Sequence, residues 1–327
     1  MRILYAIQGT GNGHLSRARA IIPLLRQHGE LDLLVSGRQA DVQLPEPVRF
    51  QLYGMSFTFG KKGGVDMLDT LLKTNFYRFW RDARRLPLQN YDLIINDFEP
   101  LTAWGCKWRG IPSVALSHQS GVIHPKAPRP MKKDPLGHTI LHHYAPATNY
   151  YGFHFKPYGE RVFTPVIRQG IRALEPCKHG HYTVYLPAIG DELLIRVLRQ
   201  VEVPWHVFSK HTKDAYRRAN VQVSPVDNDA FVRSLESCTG VLCGAGFEAP
   251  AEALFLGKKL AVVPMTNQYE QHCNAAALRE MGVPVLPAFS DKQVPQLQDW
   301  VEHQRPIQVH YPDETAAVIA RVVRENA

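Results

Sequence analysis

The stretch Val241–Asn274 reads VLCGAGFEAPAEALFLGKKLAVVPMTNQYEQHCN and decides the fold. A short apolar run, Val241 to Cys243, ends in Gly244-Ala245-Gly246, and a segment with helical spacing follows to Leu256. Gly257 stands where a helix-ending glycine belongs, Lys259 to Val263 reads as the next strand, and Gln268 to Glu280 as the next helix. Strands alternating with helices require parallel strands covered on both faces. A glycine turn feeding a helix leaves unpaired backbone N–H groups and the positive dipole end pointing one way, which suits a phosphate. Glu252 falls a turn and a half into that helix, where its carboxylate can accept from two vicinal ribose hydroxyls. Glu270-Gln271 opens the next helix at the same sheet edge, with polar groups suited to sugar hydroxyls. Glycines that only permit tight packing would make the same turn; the acid and the Glu-Gln pair together favour a ligand.

The chain opens on a second turn of this kind. Residues 2–7 form an apolar run, Gln8-Gly9-Thr10-Gly11-Asn12-Gly13-His14 follows, and Leu15 to His28 shows helical spacing through Leu15, Ala18, Ile21, Ile22 and Leu25. The glycine spacing is not that of a dinucleotide fingerprint, and the second strand, Leu31 to Val35, ends in Ser36-Gly37 rather than a ribose-binding acid. Nor is it a phosphate-binding P-loop, which ends in Gly-Lys-Ser/Thr. A histidine at a helix start is often a mere cap. Here it ends a glycine loop.

Both stretches resemble the nucleotide-sugar transferases of the glycosyltransferase-B fold, in particular the bacterial N-acetylglucosaminyltransferase family that makes lipid-linked peptidoglycan precursor, and related UDP-sugar transferases. The resemblance implies a diphosphate loop at Gly244, Ala245, Gly246 and Phe247, a ribose contact at Glu252, and hexose contacts at Glu270 and Gln271. It further implies that Val226 lines the base and that the loop of Gly11, Asn12, Gly13 and His14 meets acceptor and donor. The hexose pair departs from the family's usual Gln-Gln or Asp-Gln. In inverting relatives from plant secondary metabolism a His–Asp pair stands where Gly13-His14 and Asn96-Asp97 stand here.

Composition bounds the alternatives. At 327 residues the chain suits two domains, and 45% hydrophobic with 21% charged content is ordinary for a globular protein. No apolar run approaches the ~20 residues of a membrane-spanning helix, and the N-terminus does not read as a signal peptide. Five cysteines without framework spacing point to a reducing compartment and buried thiols rather than a zinc site. A net charge of +8 favours anionic partners. No nucleic-acid-binding module is recognisable, so nucleic acid is not an expected partner.

Between the two ends, Val48 to Tyr53 reads as a strand and Leu68 to Leu86 as a basic, aromatic helix able to touch a membrane surface. Tyr91 to Asn96 reads as a buried strand ending at Asp97-Phe98-Glu99, and Ile111 to Leu116 as another ending at Ser117-His118-Gln119. Acids and histidines at the carboxyl ends of parallel strands line the crevice where open α/β sheets bind ligands. Residues 121–143 read as an irregular basic segment with Lys126, Arg129, Lys132 and Lys133 beside that crevice. Tyr150 to Phe155 reads as a strand, and Lys156 to Arg172 as a linker. A second series follows: strand Tyr182–Leu186, helix Asp191–Val201, strand Trp205–Phe208, helix Lys213–Ala219, strand Val221–Val223 and helix Asp229–Leu235. Asp227-Asn228-Asp229 matches a metal-binding Asp-x-Asp but sits where a helix cap belongs.

The expectation is an α/β protein of two Rossmann-like, doubly wound parallel-sheet domains facing a cleft. Residues 1–160 take the acceptor and 161–310 the nucleotide-sugar donor, while 311–327 carry a terminal helix that crosses back. The expected activity moves a hexose, UDP-linked by the resemblance, to a hydroxyl acceptor that is lipid-linked or membrane-associated, without metal or other cofactor. His14 serves as base with Asp97 behind it, His118 belongs to the acceptor side, and Glu99 and His118 are reserve bases. Inversion follows from a base opposite the leaving diphosphate. A cytoplasmic protein, peripheral on the inner face of the membrane, fits the basic surface. A nucleotide-sugar 2-epimerase of the same fold and a non-catalytic nucleotide-sugar-binding protein are the alternatives; the first would bring more acids into the cleft, and the second needs no His–acid pair.

Overall fold

The computed structural model describes residues 1–10, 12–37, 44–54, 58–59, 65–66 and 76–327. Gly11, Lys61 and Lys62 lie outside them, as does the start of the expected Leu68–Leu86 helix.

The strands are β1 (Arg2–Gln8), β2 (Glu30–Ser36), β3 (Phe50–Leu52), β4 (Thr58–Phe59), β5 (Val65–Asp66), β6 (Leu93–Asp97), β7 (Val114–Ser117), β8 (Asn149–Phe153) and β9 (Val162–Phe163), then β10 (Tyr182–Tyr185), β11 (Trp205–Ser209), β12 (Tyr216–Arg218), β13 (Val221–Pro225), β14 (Gly240–Gly244) and β15 (Lys259–Val263). The main helices are α1 (Asn12–Arg26), α2 (Phe76–Arg85), α3 (Pro100–Arg109), α4 (His118–Val122), α5 (Pro135–His143), α6 (Gln169–Arg172), α7 (Asp191–Leu198), α8 (Asn228–Ser237), α9 (Glu248–Phe255), α10 (Tyr269–Glu280), α11 (Val294–His303) and α12 (Thr315–Asn326).

Seven strands form one sheet in the order β3-β2-β1-β6-β7-β8-β9, and six form a second in the order β12-β13-β11-β10-β14-β15. All pairings in the first sheet are parallel, and in the second only β12 runs antiparallel. Helices cover both faces, so β1 carries Ile3 through Ile7 fully buried. Apolar side chains of both sheets join in a contiguous core that runs through Phe155, Ile167, Ile171, Phe247 and Ala251. The terminal helix α12 lies against the first sheet: Tyr151 Oη donates to Glu325 at 2.5 Å, and Asn149 donates to Asn326 at 2.7 Å.

Three local expectations are corrected. Lys213–Ala219 is not a helix; Tyr216–Arg218 is an antiparallel edge strand paired with Val221–Val223. Residues 121–143 are not irregular throughout, because Asp134 caps α5 by accepting from Gly137 N at 2.8 Å, with Pro135 at the first helical position. Cys177 is exposed, whereas the other four cysteines are buried as expected.

Candidate active site

In-register pairing sets Ile7 on β1 opposite Asp97 on β6, so both strands end at the same edge. Gly9 and Thr10 follow β1, α1 begins at Asn12, and Asp97 leads into α3 through a turn in which Phe98 adopts φ 56°. A phenylalanine in the left-handed region is strained, and the turn is clamped from both sides. Asn96 donates to Glu99 O at 2.7 Å and accepts from Glu99 N at 2.9 Å. Glu99 itself caps α3, accepting from Leu101 N at 2.8 Å, Thr102 N at 2.7 Å and Ser36 Oγ at 2.6 Å. Burial pushes its carboxyl up despite those donors. Glu99, a reserve base in sequence, is a structural cap.

The turn aims Asp97, fully buried, at the start of α1. His14 Nδ1 lies 2.8 Å from Asp97 Oδ1. The carboxylate only accepts, so Nδ1 carries the proton and the lone pair sits on Nε2. Arg17, one turn further along α1 and 2% exposed, donates Nη2 to Asp97 Oδ1 at 2.7 Å and to Oδ2 at 2.9 Å, with Nε at 3.2 Å from Oδ2. Burial alone would raise the Asp97 carboxyl, but Arg17 and then His14 outweigh it and hold it below its ordinary value. Tyr5 Oη adds a long contact to Oδ2 at 3.4 Å. Arg17 Nη2 also lies 3.2 Å from His14 Nδ1; both atoms carry protons, and the Asp97 oxygen between them accepts from each.

Arg17 was not among the expected site residues, yet it joins the domains. Its Nη1 donates to Glu248 Oε1 at 2.5 Å, and Glu248 is the first residue of α9 in the second domain. A Cβ on Gly13 would come within 3.3 Å of Glu248 Cγ, so the starts of α1 and α9 face each other closely. Burial pushes the Glu248 carboxyl up to about 7, because the nearby Arg17 only partly opposes the lost hydration.

In the second domain β14 ends at Gly244 and the Ala245-Gly246-Phe247 turn enters α9. Gly246 meets nothing within 4 Å of an added Cβ, which leaves open space over the turn. Gln271 closes in behind: a Cβ on Gly244 would stand 3.7 Å from its Oε1, which accepts from Met265 N at 2.9 Å. Glu252 is 3% exposed and is gripped by Arg168, Nε to Oε1 at 2.6 Å and Nη2 to Oε2 at 2.9 Å. Val226 follows β13 and is exposed. Asp227 caps α8, accepting from Ala230 N at 2.7 Å. Among the described residues no cluster of three or more His, Cys, Asp or Glu side chains is placed to hold a metal.

Two further residues cross between the domains. His118 is buried, stacks on Phe247 with ring centroids 3.7 Å apart, and meets Phe153 O at 2.9 Å and Asn274 Oδ1 at 2.8 Å. Burial lowers its pKa, so the neutral ring has one N–H for the two acceptor oxygens, and its contacts with Phe153 and with Asn274 and Phe247 join the domains. Gln119 Nε2 donates to Glu270 Oε2 at 3.0 Å and faces His14 Nε2 at 3.5 Å. The structure therefore brings His14, Asp97, Gln119 and Glu270 together, with Arg17 and Glu248 beside them.

Solved structures of low sequence identity share this architecture. MurG of Acinetobacter baumannii matches with a TM-score of 0.58 and 16% identity over 99% of each chain. UGT2 of Phytolacca americana, solved with UDP-2fluoro-glucose and pterostilbene, matches with a TM-score of 0.60 and 12% identity over 99% of this chain and 94% of that one. A UDP-glucosyltransferase from Polygonum tinctorium, capable of glucosylating indoxyl, gives 0.61 and 14% identity over 99% and 93%. The fold is glycosyltransferase-B, with two Rossmann-like parallel-sheet domains. Comparison with curated proteins returns no match. The model of the family described as glycosyl transferase family 1 matches residues 1–303, and the chain belongs to that family.

Proposed function

We propose that this glycosyltransferase moves a hexose from UDP to a hydroxyl on a lipid-linked or membrane-associated acceptor, with inversion and without metal. The observation that carries the reading is the His14–Asp97 pair at 2.8 Å, with the Nε2 lone pair on the side away from the carboxylate. An alcohol is a weak nucleophile at neutral pH and must lose its proton as it attacks. His14 Nε2 takes that proton; Asp97, ionised and locked by Arg17, stabilises the imidazolium that forms. The C–O bond to the diphosphate breaks as the acceptor C–O bond forms, and UDP leaves with the electron pair. Attack from the face opposite the diphosphate inverts the anomeric carbon.

The leaving charge falls to the start of α9 and the Gly244–Phe247 turn, whose backbone N–H groups and helix dipole supply what a metal would otherwise provide. Asp227 as a helix cap supports the metal-free reading. Glu252 is the ribose contact, with Arg168 fixing its orientation, and Glu270 and Gln271 take the hexose.

The acceptor's membrane character rests on the first domain's rim. Phe79 and Ala83 turn α2 inward, leaving Phe76, Tyr77 and Trp80 exposed, with Arg84 stacked 4.6 Å over Trp80. Met131 is 94% exposed and precedes Lys132 and Lys133. Among the described residues no helix is long and apolar enough to cross a membrane.

The test is release of UDP from a panel of UDP-hexoses with a membrane lipid extract as acceptor source, repeated with EDTA. Release that depends on the extract and ignores the chelator is expected. Release abolished by EDTA and restored by magnesium or manganese contradicts the metal-free reading, and no release from any UDP-hexose contradicts the donor.

A further inference from the structure

We propose that the outer edge of the second sheet is a docking site for an extended acidic segment of a partner protein, which adds as a further strand beside β12. β12 is the outermost strand of that sheet, and among the described residues no strand lies beyond it. Its partner in the sheet is β13, and Ala215, Arg217, Arg218 and Ala219 are exposed, so the backbone groups on the outward side are open to pairing. Side chains along a strand alternate between faces. Tyr216 and Arg218 take the face covered by α7: Tyr216 Oη donates to Asp191 Oδ2 at 3.0 Å and Arg218 Nη1 to Glu192 Oε1 at 3.0 Å. Arg217 takes the other face. Between α7 and this edge lies a cavity of about 650 Å³, in which Leu193, Ile195 and Ala219 meet Arg196, Arg199 and Arg218. Glu192 is the single carboxylate that lines it.

The charges select the occupant. Arg218 with Glu192, and Arg196 with Asp291 at 3.1 Å, are surface pairs of largely exposed side chains, which are worth little and exchange readily for another carboxylate. Arg199 is exposed and pairs with no carboxylate among the described residues. Basic residues on an edge strand often serve only to keep sheets apart. An antiparallel contact between two copies of β12 would indeed bring Arg217 and Arg218 of both together, like charge on like charge. The same charges favour a strand that carries carboxylates. A guard against self-pairing also has no use for the space beside Leu193 and Ile195. An added strand fills it: apolar side chains on its α7 face reach Leu193 and Ile195, and its carboxylates reach the arginines on either face. None of these residues belongs to the base or the donor turn, so the docking site stands apart from the transfer reaction.

The experiment is fluorescence anisotropy of a labelled peptide of alternating glutamate and valine, titrated with the full chain at low salt. Saturable binding is expected. The same peptide N-methylated along its backbone keeps its charge but loses the N–H groups that an added strand donates, and should bind wild type at least roughly tenfold more weakly. Arg199→Glu with Arg218→Glu should weaken the unmodified peptide roughly tenfold. The urea midpoint of that variant should hold, because both side chains are exposed. A peptide of alternating lysine and valine should not bind. Absence of saturable binding by the acidic peptide overturns the proposal and leaves the arginines as a guard. Equal binding of the methylated peptide overturns strand addition, and tighter binding of an oligodeoxythymidine would make the face a nucleic-acid surface instead.

Discussion

Arg17 forks onto both oxygens of Asp97 at 2.7 and 2.9 Å while its remaining nitrogen reaches Glu248 in the other domain at 2.5 Å. Burying a guanidinium in this way is costly unless its charge is matched, and here the ionised Asp97 matches it while Glu248 accepts a further hydrogen bond. Burial would lower the guanidinium's pKa, but Asp97 and Glu248 raise it. Removing it strands Asp97, which has no exposure to solvent. Arg17→Ala should cost about 3–5 kcal/mol of stability, measured as a shift of the urea midpoint. Arg17→Lys should recover little, because one ammonium cannot span both oxygens and Glu248. A variant as stable as wild type would show that the buried network does not form in solution.

Glu252 carries two consequences. A glutamate facing an open cleft would matter for binding alone, and the sequence supports that expectation. In the structure it is 3% exposed and bidentate with Arg168, so Glu252→Ala should lower stability as well. The loss should be on the order of 2–3 kcal/mol, below that for Arg17, because Arg168 retains contact with solvent and with Asn228. UDP affinity should fall by about 1.5–3 kcal/mol, one charge-assisted hydrogen bond. A titration with undiminished affinity removes Glu252 from the ribose site.

Glu248 makes stability depend on pH. Its carboxyl is raised from 4.5 to about 7 by burial, so the native state holds the proton where the unfolded chain has released it. The associated stability is present below pH 4.5 and is lost as pH rises through 7. Glu248→Gln removes this titration. Relative to wild type the variant should therefore gain stability between pH 5 and pH 8, read from urea midpoints at each pH. An offset that stays constant across that range would refute the raised carboxyl. The incoming diphosphate adds negative charge beside Glu248, so UDP-hexose affinity should also weaken from pH 6 to pH 8 in wild type and not in the variant.

The two glycine turns, the strands leading into them and the ends of β6 and β7 are legible because buried parallel strands are continuous apolar runs with polar residues at their carboxyl ends. Asp97 follows from that, since it ends β6, and His14 from the glycine-rich turn after β1, while their pairing is what the resemblance implies. Arg17 reads as one more basic residue on a helix, although its position three after His14 and four before Ile21 sets it on the inward face. Gln119–Glu270 spans 151 residues and no local pattern encodes it. The segment around Tyr216 has the composition of a short helix, and its pairing with β13 overrides that preference. Arg129 looks like a free basic residue but donates to the carbonyls of Val122, Ile123 and His124, so the neighbouring lysines carry the segment's exposed charge.

Membrane association should need both charge and aromatics. Lys126, Lys132 and Lys133 contribute about 1 kcal/mol each near an anionic surface, and Phe76, Tyr77 and Trp80 enter the interface. Flotation with anionic liposomes should recover the protein, and neutral liposomes or high salt should release it. Tyr77→Ser with Trp80→Ser should abolish flotation without lowering stability, because both side chains are exposed. Binding that ignores lipid charge would contradict this face as the membrane surface.

The most direct measurement of the account is the anomeric configuration of hexose released from an α-linked UDP-hexose with water as the acceptor, followed by proton NMR before mutarotation. A base at His14 Nε2, held by Asp97 at 2.8 Å, predicts that the β anomer appears first. His14→Ala should lose roughly 10²–10⁴ in rate, as expected of a general base, while still binding UDP. Appearance of the α anomer first, or near-normal turnover by His14→Ala, would contradict the mechanism and leave His14 a structural residue at a helix start.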